Sequence, residues 1–199
     1  MFPGITDRLS SAAWRYRAAV TSDTTRYVAL LRGINVGRAH QVDMPRLREL
    51  LEARGHAHVR THLRSGNVVL DSPLPEAELA DDLAGAIEAE FGFAVPVVVR
   101  TGAEIGAVVA GDPFATVATD PARYLVTFMA EPPDPARVDA LPSAEGGAEY
   151  LVRGRELYLW LPDGISGTPL ASWKWDTLLG RPGTARNWNT VTKLAGMAG

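Results

Sequence analysis

The densest group of polar side chains is Arg186, Asn187, Asn189 and Thr190, four positions within five residues. A guanidinium can clamp a phosphate or carboxylate through two parallel N–H bonds. Asparagine at a helix start caps it, and free backbone N–H groups there attract anions. The stretch is therefore a candidate anion site, assisted by Arg32 and Arg38. The competing reading is structural: Asn187 or Thr184 caps the helix, Trp188 enters the core, and Arg186 pairs with an acid.

Two further polar groups lie in turns. Asn35 sits within Gly33–Gly37, and Asn67 follows Ser65-Gly66. Asparagine tolerates left-handed backbone and bonds its own chain, so both can be plain turn residues. The candidate ligand-binding set is Arg32, Asn35, Asn67, Arg186, Asn187, Asn189 and Thr190. Strand topology is expected to keep the loop and the turn at opposite ends of their sheet, unless Ile34–Val42 folds back or the second half bridges them.

Other chemistries find less support. Strand alternation puts His58 and His62 on one face, but Arg60 shares it, and cations oppose metal binding. No metal site is expected. His40 lies in the long loop, where it could serve as a general base near neutral pH. Gly33 and Gly37 match neither the dinucleotide fingerprint nor the phosphate loop, so no cofactor is expected. Asp81 and Asp82 are adjacent in a helix and face different directions, which argues against a hydrolytic pair. The chain has no cysteine, which excludes disulfides and thiolate chemistry and fits a reducing, cytoplasmic setting.

These side chains must be positioned by a recognisable element order. Tyr27–Arg32 is a buried-strand run, and Met44, Leu47, Leu50 and Leu51 mark one helix face ending at Gly55. Val59–Ser65 alternates as a strand, Gly66-Asn67 signals a hairpin, and Val68–Leu70 returns. Leu79, Leu83, Ile87 and Phe91 mark a second helix closed by Gly92, followed by a strand over Val95–Arg100. Strand, helix, strand, strand, helix, strand is a split βαβ pattern with an antiparallel sheet.

The second half repeats the rhythm. Thr101 and Glu104 form a capping box. Arg123–Met129 is a strand, and Asp134-Pro135 opens a short helix. Gly154-Arg155 joins two strands, Pro169–Leu179 reads as one helix, and Asn187–Ala198 as another. No closing strand is evident there. The expected fold is α+β, with two ferredoxin-like subdomains in tandem over residues 26–101 and 102–199. Residues 1–25 are expected to be a poorly ordered extension, with a short helix over Leu9–Val20.

Net charge is −3, unevenly spread. Residues 1–64 hold eleven arginines against five acids, and the remainder is acidic. Such asymmetry marks either an anion-facing half or two halves attracting each other. The pI near 5.8 argues against strong nucleic-acid binding, as does the lack of stacking aromatics on the central strands beyond Tyr27. No apolar run is long enough for a membrane span. Trp173, Trp175 and Trp188 cluster near the C-terminus, and 173 and 175 point different ways on a helix.

Three motifs carry a resemblance: RGINVG at Arg32–Gly37, SGNVVL at Ser65–Leu70 and RNWNTV at Arg186–Val191. Together they resemble the bacterial domain of unknown function 1697 family, from about Tyr27 to Leu194. The family often has a further glycine where this chain has Arg38. The resemblance implies two ferredoxin-like subdomains and no known activity, cofactor or catalytic residue. The leading functional expectation is a binding protein for a small anionic ligand. An enzyme acting on a phosphorylated metabolite in the same cleft is the first alternative. A nucleic-acid or protein interaction module using the basic half is the second. Oligomeric state is left open.

Overall fold

The apolar run after Arg26 becomes an inner strand because side chains on both its faces are covered. In β1 (Thr25–Leu31), Tyr27, Ala29 and Leu31 enter one core while Val28 and Leu30 enter another. The computed structural model describes residues 24–199. The extension expected over residues 1–25, with its short helix, lies almost wholly outside them.

The first sheet continues through α1 (Met44–Ala53), β2 (Ala57–His62), β3 (Asn67–Ser72), α2 (Glu76–Phe91) and β4 (Val97–Thr101). Its order is β2-β3-β1-β4, all neighbours antiparallel. Sequence signals set its helix ends. The Asp43 side chain accepts the Arg46 N–H at 2.8 Å, with Pro45 in the first turn. Gly92 ends α2 at φ 81°, where a side chain would be strained. Leu47, Leu51, Leu79, Leu83 and Ile87 cover one sheet face.

The strand expected over Val59–Ser65 is corrected: it ends at His62, and Leu63–Gly66 is a turn in which Leu63 and Ser65 are exposed rather than sharing the face of Val59. The β2–β3 register shifts between Ala57 and Arg60, and His58 has φ 50°. A bulge places an extra residue on one strand and re-aims its side chains.

The second half follows as α3 (Gly102–Ala110), β5 (Tyr124–Met129), α4 (Pro135–Asp139), β6 (Glu149–Arg153) and β7 (Glu156–Trp160). It ends with α5 (Gly164–Gly167), α6 (Trp175–Leu179), β8 (Gly183–Asn187) and α7 (Trp188–Ala198). The capping box of Thr101 and Glu104 starts α3. The order β6-β7-β5-β8 repeats that of the first sheet. Two expectations are corrected. A closing strand exists: β8 pairs antiparallel with β5. Pro169–Leu179 is not one helix but a 3₁₀ turn over Pro169–Ser172, an extended Trp173 (φ −64°, ψ 139°), then α6.

The molecule is thus mixed α+β with two four-stranded antiparallel sheets. Between them lies a core in which Val28, Leu30 and Val69 of the first sheet join Val126, Phe128 and Tyr158 of the second. Ile105 and Val108 of α3, with Val191 and Leu194 of α7, complete that core. The outer face of the second sheet is covered by Leu170, Leu179, Trp173 and Trp175 from the irregular segment before β8.

Candidate functional site

Arg186 sits at an inward position of β8, with 8% exposure. Its Nε donates to Asn67 Oδ1 at 2.5 Å. Nη1 donates to Thr184 Oγ1 and to the Ala185 carbonyl, both at 2.8 Å. Nη2 donates to the carbonyls of Leu31 at 2.8 Å, Ser65 at 3.0 Å and Gly66 at 3.2 Å. A guanidinium has five N–H donors, and these bonds account for them. Burial pushes its pKa down to about 10, which leaves it charged at neutral pH. It meets no carboxylate among the described residues; uncharged oxygens solvate it instead.

This fan joins the Arg186–Val191 motif to the Ser65–Leu70 motif and to Leu31, the residue before the Arg32–Gly37 motif. The expectation that the Gly33–Gly37 loop and the Ser65–Asn67 turn lie at opposite sheet ends is corrected. In an antiparallel pair the end of one strand faces the start of the other. Leu30 pairs with Asn67, and Leu31 N donates to the Gly66 carbonyl at 2.8 Å. Loop, turn and β8 therefore meet at one sheet end. Gly66 is required there: at φ 82°, a Cβ would lie 2.6 Å from Leu31 Cβ.

The other candidate residues divide by exposure. Asn67 is wholly buried, and its Nδ2 donates to the His62 carbonyl at 2.8 Å. Asn35, at φ 55°, donates through Nδ2 to the carbonyls of Val42 at 3.0 Å and Arg64 at 2.7 Å. Its Oδ1 accepts Val42 N–H at 2.9 Å. It thereby closes the loop on itself and on the β2–β3 turn. Asn187 caps α7, accepting from Thr190 N at 3.0 Å and Thr190 Oγ1 at 2.8 Å. The Asn189 side chain is exposed. Arg32 leaves this group and pairs with Asp176 at the start of α6, both half exposed.

Arg32 and Asp176 lead to an open cleft on the outer face of the second sheet. The cleft, about 450 Å³, is lined by Thr127, Gly183 and Ala185 from the strands and by Trp173–Thr177. Trp173 and Trp175 stand 5.2 Å apart at 38°. Trp175 Nε1 donates to the Leu170 carbonyl at 3.2 Å. Asp176 accepts Gly183 N–H at 3.1 Å, which ties the wall to the floor. A Cβ at Gly183 would meet Thr127 Cγ2 at 2.4 Å, so glycine there permits the close approach of β8 to β5. Lys174 is exposed and has no ion pair among the described residues. Of these residues only the tryptophans carried a sequence signal. The rest became neighbours through β8, a strand that Gly-Thr-Ala-Arg-Asn does not announce.

The histidines do not form a group. His58 Nδ1 lies 2.7 Å from Asp71, which Arg26 also grips at 2.6 Å. The bonds from Arg26, then His58, hold the Asp71 pKa down against burial. His56 is buried, 3.2 Å from Asp82 through Nε2, and its Nδ1 has no partner among the described residues. His40 stacks on Phe93 at 4.8 Å. No group of three or more metal-binding side chains exists among the described residues. No helix among them is long and apolar enough to cross a membrane.

Residues 24–158 match a family model described as protein of unknown function (DUF1697). The chain belongs to this family. Among solved structures, this DUF1697 chain is similar to the conserved bacterial protein SP0830 from Streptococcus pneumoniae, with a TM-score of 0.73 and 26% identity. The match covers 89% of the DUF1697 chain and all of the other. A comparison with curated proteins found no match.

Proposed function

We propose that this chain binds a small anionic ligand, bearing a phosphate or carboxylate, in the cleft beside Trp173 and Trp175. The observation that carries this reading is the cleft itself: an aromatic wall and the unpaired Lys174 over the sheet residues Thr127 and Ala185. Arg32 pairs with Asp176, one of the residues that line the cleft. Small-molecule sites combine apolar walls with a few placed polar groups. In this reading Arg32 and Asn187 border the ligand, since Asn187 ends the strand that carries Ala185. Arg186, Asn67 and Thr190 hold β8 from behind, and Asn35 shapes the loop after Arg32. The halves 26–101 and 102–199 are read as two ferredoxin-like units in tandem, which the repeated strand order supports.

Calorimetric titration of the full chain with inorganic phosphate, glucose 6-phosphate and AMP tests this. Saturable binding to at least one probe is expected. Lys174→Ala should weaken it about tenfold, the loss of one charge-assisted contact. Ala185→Leu, which fills the cleft, should abolish it while circular dichroism stays unchanged. Absence of binding to all three probes, or binding that neither variant alters, would sink the reading.

A further inference from the structure

Among the described residues the large exposed hydrophobic side chains are Val36, Leu63, Val117 and Ile165. Two of these lie together. Val36 is 73% exposed in the loop after β1, and Leu63 is 58% exposed in the β2–β3 turn. Their neighbours Asn35 and Arg64 are joined by the 2.7 Å bond from Asn35 Nδ2 to the Arg64 carbonyl. Leu63 holds φ 59°, a conformation that costs a branched side chain energy and is here unrepaid by burial. The backbone beneath is fixed by Asn35 and by the Arg186 bonds to Ser65 and Gly66. Two apolar tips are therefore presented on a rigid frame.

Residues 27–42 and 53–70 contain no Asp or Glu. Of their arginines, Arg32 pairs with Asp176, Arg54 with Asp82, and Arg60 donates to the Met197 carbonyl, which leaves Arg38 and Arg64 beside the two tips. Arg64 reaches only Gln41, at 3.3 Å, and Arg38 makes no side-chain bond among the described residues. Aliphatic tips flanked by the exposed Arg38 and Arg64 match the composition of interfaces, where Arg is enriched and lysine depleted. A second copy would have to offer an acidic surface elsewhere on the chain, a head-to-tail contact that closes only at special angles. We infer that the Val36–Leu63 surface docks an acidic, leucine-bearing segment of another protein. This surface is distinct from the Trp173 cleft and does not depend on it.

Fluorescence polarisation with a labelled 16-residue peptide carrying Glu and Leu at helical spacing tests the inference on the full chain. Binding is expected to be micromolar, and tenfold weaker for Val36→Ser/Leu63→Ser and for Arg38→Glu/Arg64→Glu. Both variants should keep the parent melting temperature, since all four side chains are exposed. A peptide with Ser in place of Leu should bind at least tenfold more weakly. Equal binding of that peptide, or no binding of either, overturns the proposal. So does tighter binding of a 20-nucleotide single-stranded RNA. Self-association in light scattering that Arg38→Glu/Arg64→Glu abolishes would assign the surface to a second copy and overturn it too.

Discussion

A guanidinium without a carboxylate survives burial only if every N–H finds an oxygen, and Arg186 meets that condition with six acceptors. Removing it leaves Asn67 Oδ1 and the Ser65 carbonyl without a donor and the Leu31 carbonyl with only the long bond from Thr184 Oγ1, while the Gly66 carbonyl keeps the Leu31 N–H. Each buried orphan costs about 1–3 kcal/mol. Arg186→Ala should therefore lower unfolding free energy by about 2–5 kcal/mol, the cost of those orphaned oxygens together with the lost packing. Arg186→Lys, a point charge without the planar fork, should recover only part of this. Arg32→Ala breaks a pair that is more than a third exposed, and should cost under about 1 kcal/mol. Urea unfolding curves for the three variants measure the ranking; equal losses at 186 and 32 would refute it. Residue type alone placed Arg186, Asn187 and Thr190 in one group but was silent on direction. The same arginine reads as an anion clamp or a buried tie, and only the acceptors around it decide.

At the scale of elements, what the sequence made legible was whatever has a local cause. The start of α1 at Asp43-Met44-Pro45, the Thr101–Glu104 box and the stop at Gly92 are each a few residues acting on their own backbone. The β2 bulge was hidden because its cause is nonlocal: His58 turns out of register where Asp71 of β3 receives it. β8 was hidden because its inward residues are Thr184 and Arg186 rather than an apolar alternation. His56, between α1 and β2, shows how such placement couples to pH. Burial, opposed by Asp82 and aided by the charge of Arg54, holds its pKa below the ordinary 6.5. The folded state therefore keeps the ring neutral while the unfolded chain takes up a proton. Stability is fully present above about pH 6.5 and declines as pH falls from there toward the depressed folded value. Burial works against Asp82, but Arg54 and His56 keep its pKa below 3.8, so its contribution is lost only in stronger acid. The urea midpoint should fall between pH 7.5 and 5.5, and His56→Phe should flatten that dependence. An unchanged slope in the variant would contradict the assignment.

At the scale of the whole molecule, a charge network joins the two sheets, and none of its members comes from the arginine-rich residues 1–64. Arg100 of β4 is 1% exposed, and its Nε donates to Glu156 of β7 at 2.8 Å. Its Nη2 donates to the Met129 carbonyl at 2.6 Å. Arg155, at the turn before β7, is held by Glu76 of α2 at 2.5 Å and Glu104 of α3 at 2.6 Å. Five charged side chains thus form one network, and both sheets contribute to the core beside it. A buried pair broken on one side leaves the other charge unsolvated, whereas replacing both by apolar groups is often neutral. Arg100→Met alone should therefore cost about 3 kcal/mol. The double variant Arg100→Met/Glu156→Met should cost less than the single, although the Met129 carbonyl remains without its donor. A double-mutant cycle by urea unfolding isolates the coupling. Additive losses would mean that Arg100 acts through packing and its carbonyl bonds, and that the halves adhere through the shared apolar core without help from this charge pair.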